Sequence, residues 1–276
     1  GELADVASLE RLAWGCEIFF NIAGVNQMCV RDPSSMERAN VAGVDNAVDA
    51  CLRSGVRRLV HTSSAVTLGE RRGTVGNEGS LHRGSFLSEY ERTKYLGEQA
   101  LFAHKGDLEV VSVNPSSVQG PGRATGTGRI ILDVINGRLK YLVDTRISLV
   151  DIEDCATGHV LAALKGREGH RYVLSGPSVT VRSALETAGS IIGRKLDPTF
   201  LPGWLVTAAV QVIDPVARVL GNELPFCPEM VRVLRFGHSY DGSRAVGELG
   251  VSYRPIEETI ERTVRWFDAE GLLETQ

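Results

Sequence analysis

"RRLVHTSSAVTLG", residues 57 to 69, is the stretch that decides the fold. Its first half is apolar and β-branched and reads as a short buried strand, after which the chain turns to small polar residues, Thr62, Ser63 and Ser64. Two other stretches repeat this pattern: "CEIFFNIAGV" (16–25) and "EVVSVNPSSV" (109–118). Helices separate them. From about Pro33 to Ser54 the residues Met36, Ala39, Val44, Val48 and Cys51 form one apolar stripe, and Gly55 is a suitable left-handed stop. "LSEYERTKYLGEQALFAHKG" (87–106) is the second helix, ending near Gly106. Strands alternating with helices give a parallel sheet with helical crossovers, an α/β fold. Ligands of such sheets lie beyond the carboxyl ends of the strands, where "NIAG", "TSSA" and "NPSSV" fall.

Beyond Gly120 the character changes. The Gly-rich "GPGRATGTGR" leads to a helix, the strand-like "RISLVDI", a helix from about Glu153 to Lys165 and the strand "HRYVLSG". "PGWLVTAAVQVIDPVARVLG" has helical periodicity that Pro215 is expected to interrupt. We read this half as the last strands of the sheet interleaved with a smaller, mostly helical lobe.

Composition narrows the function. With 276 residues, 43% of them hydrophobic, the chain buries a sizeable core. Thirty Lys and Arg against 34 Asp and Glu leave a net charge of -4 without a polybasic run, so no nucleic-acid or membrane partner is expected and a small-molecule substrate is. Cys16, Cys29, Cys51, Cys155 and Cys227 are scattered and lack any C-x-x-C pair, which predicts reduced thiols in a cytoplasm rather than disulfides or zinc. The histidines show no metal-binding cluster, so no metal site is expected. No apolar run approaches the roughly 20 residues of a membrane span, and the first residues are not those of a signal peptide, so the location expected is cytoplasmic.

Tyr90 and Lys94, four apart on the second helix, share one face. A free tyrosine ionises near pH ~10, and an ammonium within ~4–6 Å favours the phenolate. Lys94 is thus placed to lower the Tyr90 pKa while its N–H groups reach ribose hydroxyls. Ser64, from the neighbouring strand end, adds a second donor to a substrate oxygen while hydride moves at the adjacent carbon. A dinucleotide fold also needs a glycine-rich phosphate loop after its first strand. None stands near the start of this chain; Gly126 to Ile131 is the nearest imitation and is better read as a substrate-side loop. The expectation is therefore an N-terminally truncated, Rossmann-like doubly wound sheet, short of two βα units of about 30 residues each. Residues 1–120 form its dinucleotide-binding part, and residues 121–276 the substrate lobe.

"NVAGVDNAVDACLRSGVRRLVHTSSAVTLG", "YERTK", "VNPSSVQGPG", "SLVDIEDCATGHVLAAL" and "YDGSRAVGELGVSYRPIEETIERTVRWF" together resemble the extended short-chain dehydrogenase/reductase, or NAD-dependent epimerase/dehydratase, family. The likeness covers nearly the whole chain and leans toward dihydroflavonol-reductase and hydroxysteroid-dehydrogenase-like members. It implies Tyr90 as acid/base, Lys94 as the ribose-binding residue that lowers the tyrosine pKa, Ser64 as the substrate-oxygen donor and Asn40 as the asparagine that orders the site. It implies a cofactor, NAD or NADP, held by Glu2, Leu3, Ile22, Ala23, Gly24, Thr62, Ser63, Pro115, Ser116, Ser117 and Val118 besides Tyr90 and Lys94. Asp151 and Asp154 resemble a family acidic pair, Asp154 being first a helix N-terminal residue. The activity implied is interconversion of a ketone and a secondary alcohol. A nucleotide-sugar epimerase or dehydratase would use the same residues, and a non-catalytic dinucleotide-fold scaffold would need no proton donor. A homodimer stays open.

Overall fold

The computed structural model describes residues 1–30, 32–219 and 227–274, with the backbone alone for 215–219. The chain opens with α1 (Val6–Ala13) and β1 (Ile18–Asn21); α2 (Ser34–Glu37) passes through a π-helical segment, Arg38–Ala42, into α3 (Gly43–Ser54). Then come β2 (Arg58–Thr62), a 3-10 turn at Ala65–Leu68, α4 (Glu89–Ala103) and β3 (Glu109–Pro115). The second half holds β4 (Ser117–Gln119), α5 (Thr127–Ile135), β5 (Tyr141–Leu142), β6 (Arg146–Asp151), α6 (Ile152–Lys165) and β7 (His170–Leu174). It continues with β8 (Ser178–Thr180), α7 (Val181–Ile191), β9 (Thr199–Phe200), α8 (Gly203–Val219), α9 (Pro228–Phe236), a second π-helical segment, Ala245–Leu249, and α10 (Ile256–Ala269).

The main sheet runs β1-β2-β3-β7, all parallel, with Phe20 opposite Val60 and Val60 opposite Val111. Alternation along β2 and β3 divides the core into two layers, as a pleated strand buried on both faces requires. Leu59 and Val110 pack with Ala13, Val44, Val48, Cys51 and Leu101 beneath α1, α3 and α4. Val60, Val111 and Val113 face the other way, onto α6 and the second π-helical segment through Ala162, Ala245 and Leu249. This is the doubly wound, Rossmann-like α/β arrangement. A separate core joins α5, α7 and α10 around Leu185, Ile260 and Phe267, and β6 of a three-stranded sheet, β4-β6-β8, gives Leu149 to this core and Val150 to the one beneath α6.

Local chemistry fixes the ends. Ser88 caps α4 by accepting from the Glu91 N–H at 3.1 Å, and Gly55 ends α3 at φ 70°, where a side chain would be strained. Asp151 caps α6 by accepting from the Glu153 N–H at 2.9 Å, while Asp154 in its first turn pairs with Arg254 at 2.8 Å and ties the helix start to the segment before α10.

The strands end where the apolar runs give way to small polar residues, and the residues after Asn21, Thr62 and Pro115 line the carboxyl edge of the sheet. Two expectations need correction. α8 continues through Pro215 to Val219 instead of breaking there. Cys29 and Cys227 form a disulfide, with Cα atoms 5.7 Å apart, while Cys16, Cys51 and Cys155 are free; a pair 198 residues apart leaves no trace in local spacing. Among the described residues no helix is long and apolar enough to cross a membrane.

Candidate active site

α4 begins in a tightly held turn. Besides the Ser88 cap, its Glu89 N–H donates to the Glu229 carboxylate of α9 at 2.6 Å, and that carboxylate also accepts from Cys29 N–H at 2.9 Å. Tyr90, half-buried in this first turn, shares a side-chain hydrogen bond with Ser64. Ser64 is itself buried in extended backbone, and its carbonyl accepts from Thr67 N–H at 3.1 Å, Thr67 Oγ1 at 2.8 Å and Asn114 Nδ2 at 3.2 Å. One turn along α4, the buried Lys94 ammonium donates to the Thr62 carbonyl at 2.7 Å. The structure thus brings Ser64, Tyr90 and Lys94 to the carboxyl edge of β2.

Electrostatics there differ from the expectation in one respect. Burial raises the Tyr90 pKa above its usual value of 10.0, and what opposes it is the hydrogen bond from Ser64 and the charge of Arg123, not Lys94. Lys94 is pushed down to about 8 by burial, with the Glu98 carboxylate opposing. Arg123 was visible in the sequence only as one lobe arginine among several. Its place between Gly122 and Gly126, in a loop able to bring it over the strand ends, is the signal that could have singled it out. Its Nε is buried without a hydrogen-bond partner. Since its positive charge favours the phenolate, Arg123→Met should move the Tyr90 ionisation, read from phenolate absorbance against a Tyr90→Phe control, to higher pH. An ionisation that stays in place or moves to lower pH would count against Arg123 acting on Tyr90.

Asn40 stands in the π-helical segment, a form often found at functional sites. Its Oδ1 accepts from Val25 N–H and its Nδ2 donates to the Val25 carbonyl, both at 2.8 Å, with a further bond to Thr93 Oγ1 at 3.1 Å. It therefore orders the segment after β1 and ties it to α4. Gly97 allows this approach, since a Cβ there would collide with the Asn40 carbonyl oxygen.

The other expected cofactor residues divide. Ile22, Ala23 and Gly24 are exposed at the end of β1. Thr62 meets Lys94 through its carbonyl and His159 Nε2 through its hydroxyl at 2.9 Å, while the buried Ser63 hydroxyl donates to Glu98 at 3.1 Å. Pro115 to Val118 form the adjoining edge, with Ser117 Oγ 3.0 Å from Thr127 Oγ1 at the start of α5. Glu2 and Leu3 stand apart, against Ser8 of α1 and Gly43 and Asn46 of α3.

These residues fit a nicotinamide dinucleotide. A Cβ at Gly24 would sit 3.0 Å from Asn40 Oδ1 and 3.7 Å from Lys94 Nζ, so glycine keeps open the space above the ammonium. The Ser116 hydroxyl oxygen is buried with no partner, a donor and acceptor ready for a polar ligand group. A cleft of about 450 Å³ bounded by Arg182, Arg194 and Phe200 lies on α7, and none of Ser64, Tyr90 or Lys94 lines it.

Residues 1–175 match the model of the NAD dependent epimerase/dehydratase family. The chain belongs to that family. The epimerase/dehydratase family is one of enzymes that work with a nicotinamide dinucleotide. A relative in Synechocystis sp., named "Putative dihydroflavonol 4-reductase", is 30% identical over 290 residues, covering 100% of this chain and 83% of that protein. Sterol demethylase protein B of Methylococcus capsulatus is 29% identical over 280 residues, covering 99% and 85%. The crystal structure of gox2253 superposes with a TM-score of 0.85 at 28% identity, covering 99% of this chain and 85% of that one.

Proposed function

We propose that this protein interconverts a ketone and a secondary alcohol on a small, weakly charged molecule, using NAD or NADP. The observation that carries this reading is the Ser64–Tyr90 hydroxyl pair, set one helical turn from a buried ammonium. Bound nicotinamide supplies or accepts the hydride. Ser64 and Tyr90 hydrogen-bond the substrate oxygen, and in the reducing direction Tyr90 gives up its proton as negative charge builds there. A Tyr90 pKa raised by burial keeps the hydroxyl protonated at neutral pH, the state a proton donor needs. Once the proton has moved, the single Ser64 O–H turns from the substrate oxygen to the Tyr90 oxygen and stabilises the phenolate left behind.

Lys94 spends one N–H on the Thr62 carbonyl and keeps the others for ribose hydroxyls. Asn40 holds Val25 and so the Ile22–Gly24 backbone beneath the dinucleotide, and Pro115–Val118 form the wall beside the nicotinamide. Glu2 and Leu3 take the adenine end on resemblance alone. Residues 1–120 thus hold the cofactor and residues 121–276 shape the substrate lobe. The name of the Synechocystis relative favours reduction over epimerisation.

Deuterated cofactor tests the reading. With deuterium at the transferable position of NADH or NADPH, a ketone substrate should yield alcohol carrying the label at the carbinol carbon. Label that never leaves the cofactor across a panel of ketones would overturn it, and inversion of a sugar centre with no net cofactor oxidation would replace it with epimerisation.

A further inference from the structure

Glu98 is fully buried on α4, one turn beyond Lys94. A carboxylate without water costs several kcal/mol unless it is paired and hydrogen-bonded. Here one oxygen accepts from Ser63 Oγ at 3.1 Å, while the other accepts from Ser112 Oγ and Asn114 Nδ2, both at 3.0 Å, and lies 3.4 Å from Arg171 Nε. The same Asn114 amide reaches the Ser64 carbonyl at 3.2 Å and Thr67 Oγ1 at 3.0 Å. One carboxylate therefore gathers the end of β2, the core of β3 and the helix that carries Tyr90 and Lys94.

We propose that Glu98 is a positioning residue for the reaction, fixing the backbone that presents Ser64 and serving as the countercharge of Lys94. It touches no ligand itself. This rests on the reading that Ser64 and Lys94 serve the chemistry. Burial draws Lys94 down to about 8 with Glu98 opposing the fall. Among the described residues, the other charged or titratable groups about this pair include Tyr90 one turn earlier on α4, His61 on β2, whose own ionisation Lys94 disfavours, His159 on α6, which meets the Thr62 hydroxyl at 2.9 Å, and Arg171 on β7, which binds the carboxylate from the far side. Loss of Glu98 would loosen Ser64 and let Lys94 shed its proton at lower pH.

The test is Glu98→Gln, assayed beside Tyr90→Phe. Glutamine keeps the shape, removes the charge and directs an amide donor toward groups that already donate. Small displacements of a reacting group cost up to about 10²-fold, so kcat should fall about 10- to 100-fold, more than KM changes. The basic limb of the profile should move to lower pH. Wild-type kcat and an unmoved limb, with only a lowered Tm, would reduce Glu98 to a polar core residue and overturn the proposal. If Glu98→Gln does not fold, Arg171→Met keeps the carboxylate but removes its other cation, and should shift the limb to higher pH; no shift overturns the proposal equally. Full activity of Tyr90→Phe would instead overturn the underlying reading, and loss of activity in Tyr90→Phe with an unaffected Glu98→Gln would remove the proposal alone.

Discussion

Tyr90→Phe should give a folded protein that holds its dinucleotide normally and turns over about 10²- to 10⁴-fold more slowly, the usual worth of a general acid. The substitution removes one hydroxyl and keeps the ring, so packing at the start of α4 survives. The Ser88 cap and the Glu229 bond to Glu89 N–H do not involve the phenol. What disappears is the partner of Ser64 and the proton that the substrate oxygen must receive. Steady-state kinetics with a cofactor titration would separate the two effects. A variant with full turnover would return Tyr90 to the status of an ordinary helix residue.

Lys94→Ala should damage cofactor binding and turnover together. Hydrogen bonds to charged groups contribute about 1.5–3 kcal/mol, so dinucleotide affinity should fall roughly 10- to 100-fold, and kcat should drop as well. The pH dependence carries its own sign. With a folded-state pKa of about 8, Lys94 is charged below that pH, and wild-type cofactor affinity should weaken as pH rises through it. The linked stability runs the other way: between about 8 and the ordinary 10.5 the unfolded chain binds more protons than the folded one, so Lys94 makes stability rise with pH across that window. Both trends should be absent in Lys94→Ala. An affinity that keeps the wild-type pH dependence would show that another group sets it.

Much of this was legible in the sequence because it is local. Buried parallel strands announce themselves as apolar runs, and Tyr90 and Lys94 share a face by helical geometry alone. Gly55 ends its helix as the sequence reading has it. What escaped depends on partners distant in the chain. The Cys29–Cys227 bridge spans 198 residues, and no spacing rule reaches that far. The charge acting on Tyr90 was assigned to Lys94 by proximity along the helix, yet the ammonium turns to the Thr62 carbonyl and Arg123 takes that place from the loop after β4. Glu98 carries no signal in the sequence, since only the fold reveals that it is enclosed.

The π-helical segment at Arg38–Ala42 bears on how this protein tolerates change in length. Met36 before it and Val44, Val48 and Cys51 after it are all fully buried, while Asn40 within it meets Val25. Each residue of an α-helix turns the chain by about 100°, and the wider turn here absorbs one residue that a regular helix could not hold on that face. Removing any one of these five positions would restore regular winding and swing Val44 and all that follows about a quarter-turn from the sheet. The segment behaves as a reading frame in three dimensions: most substitutions preserve it, whereas a single-codon deletion would set either the core stripe or the Asn40 clamp out of phase.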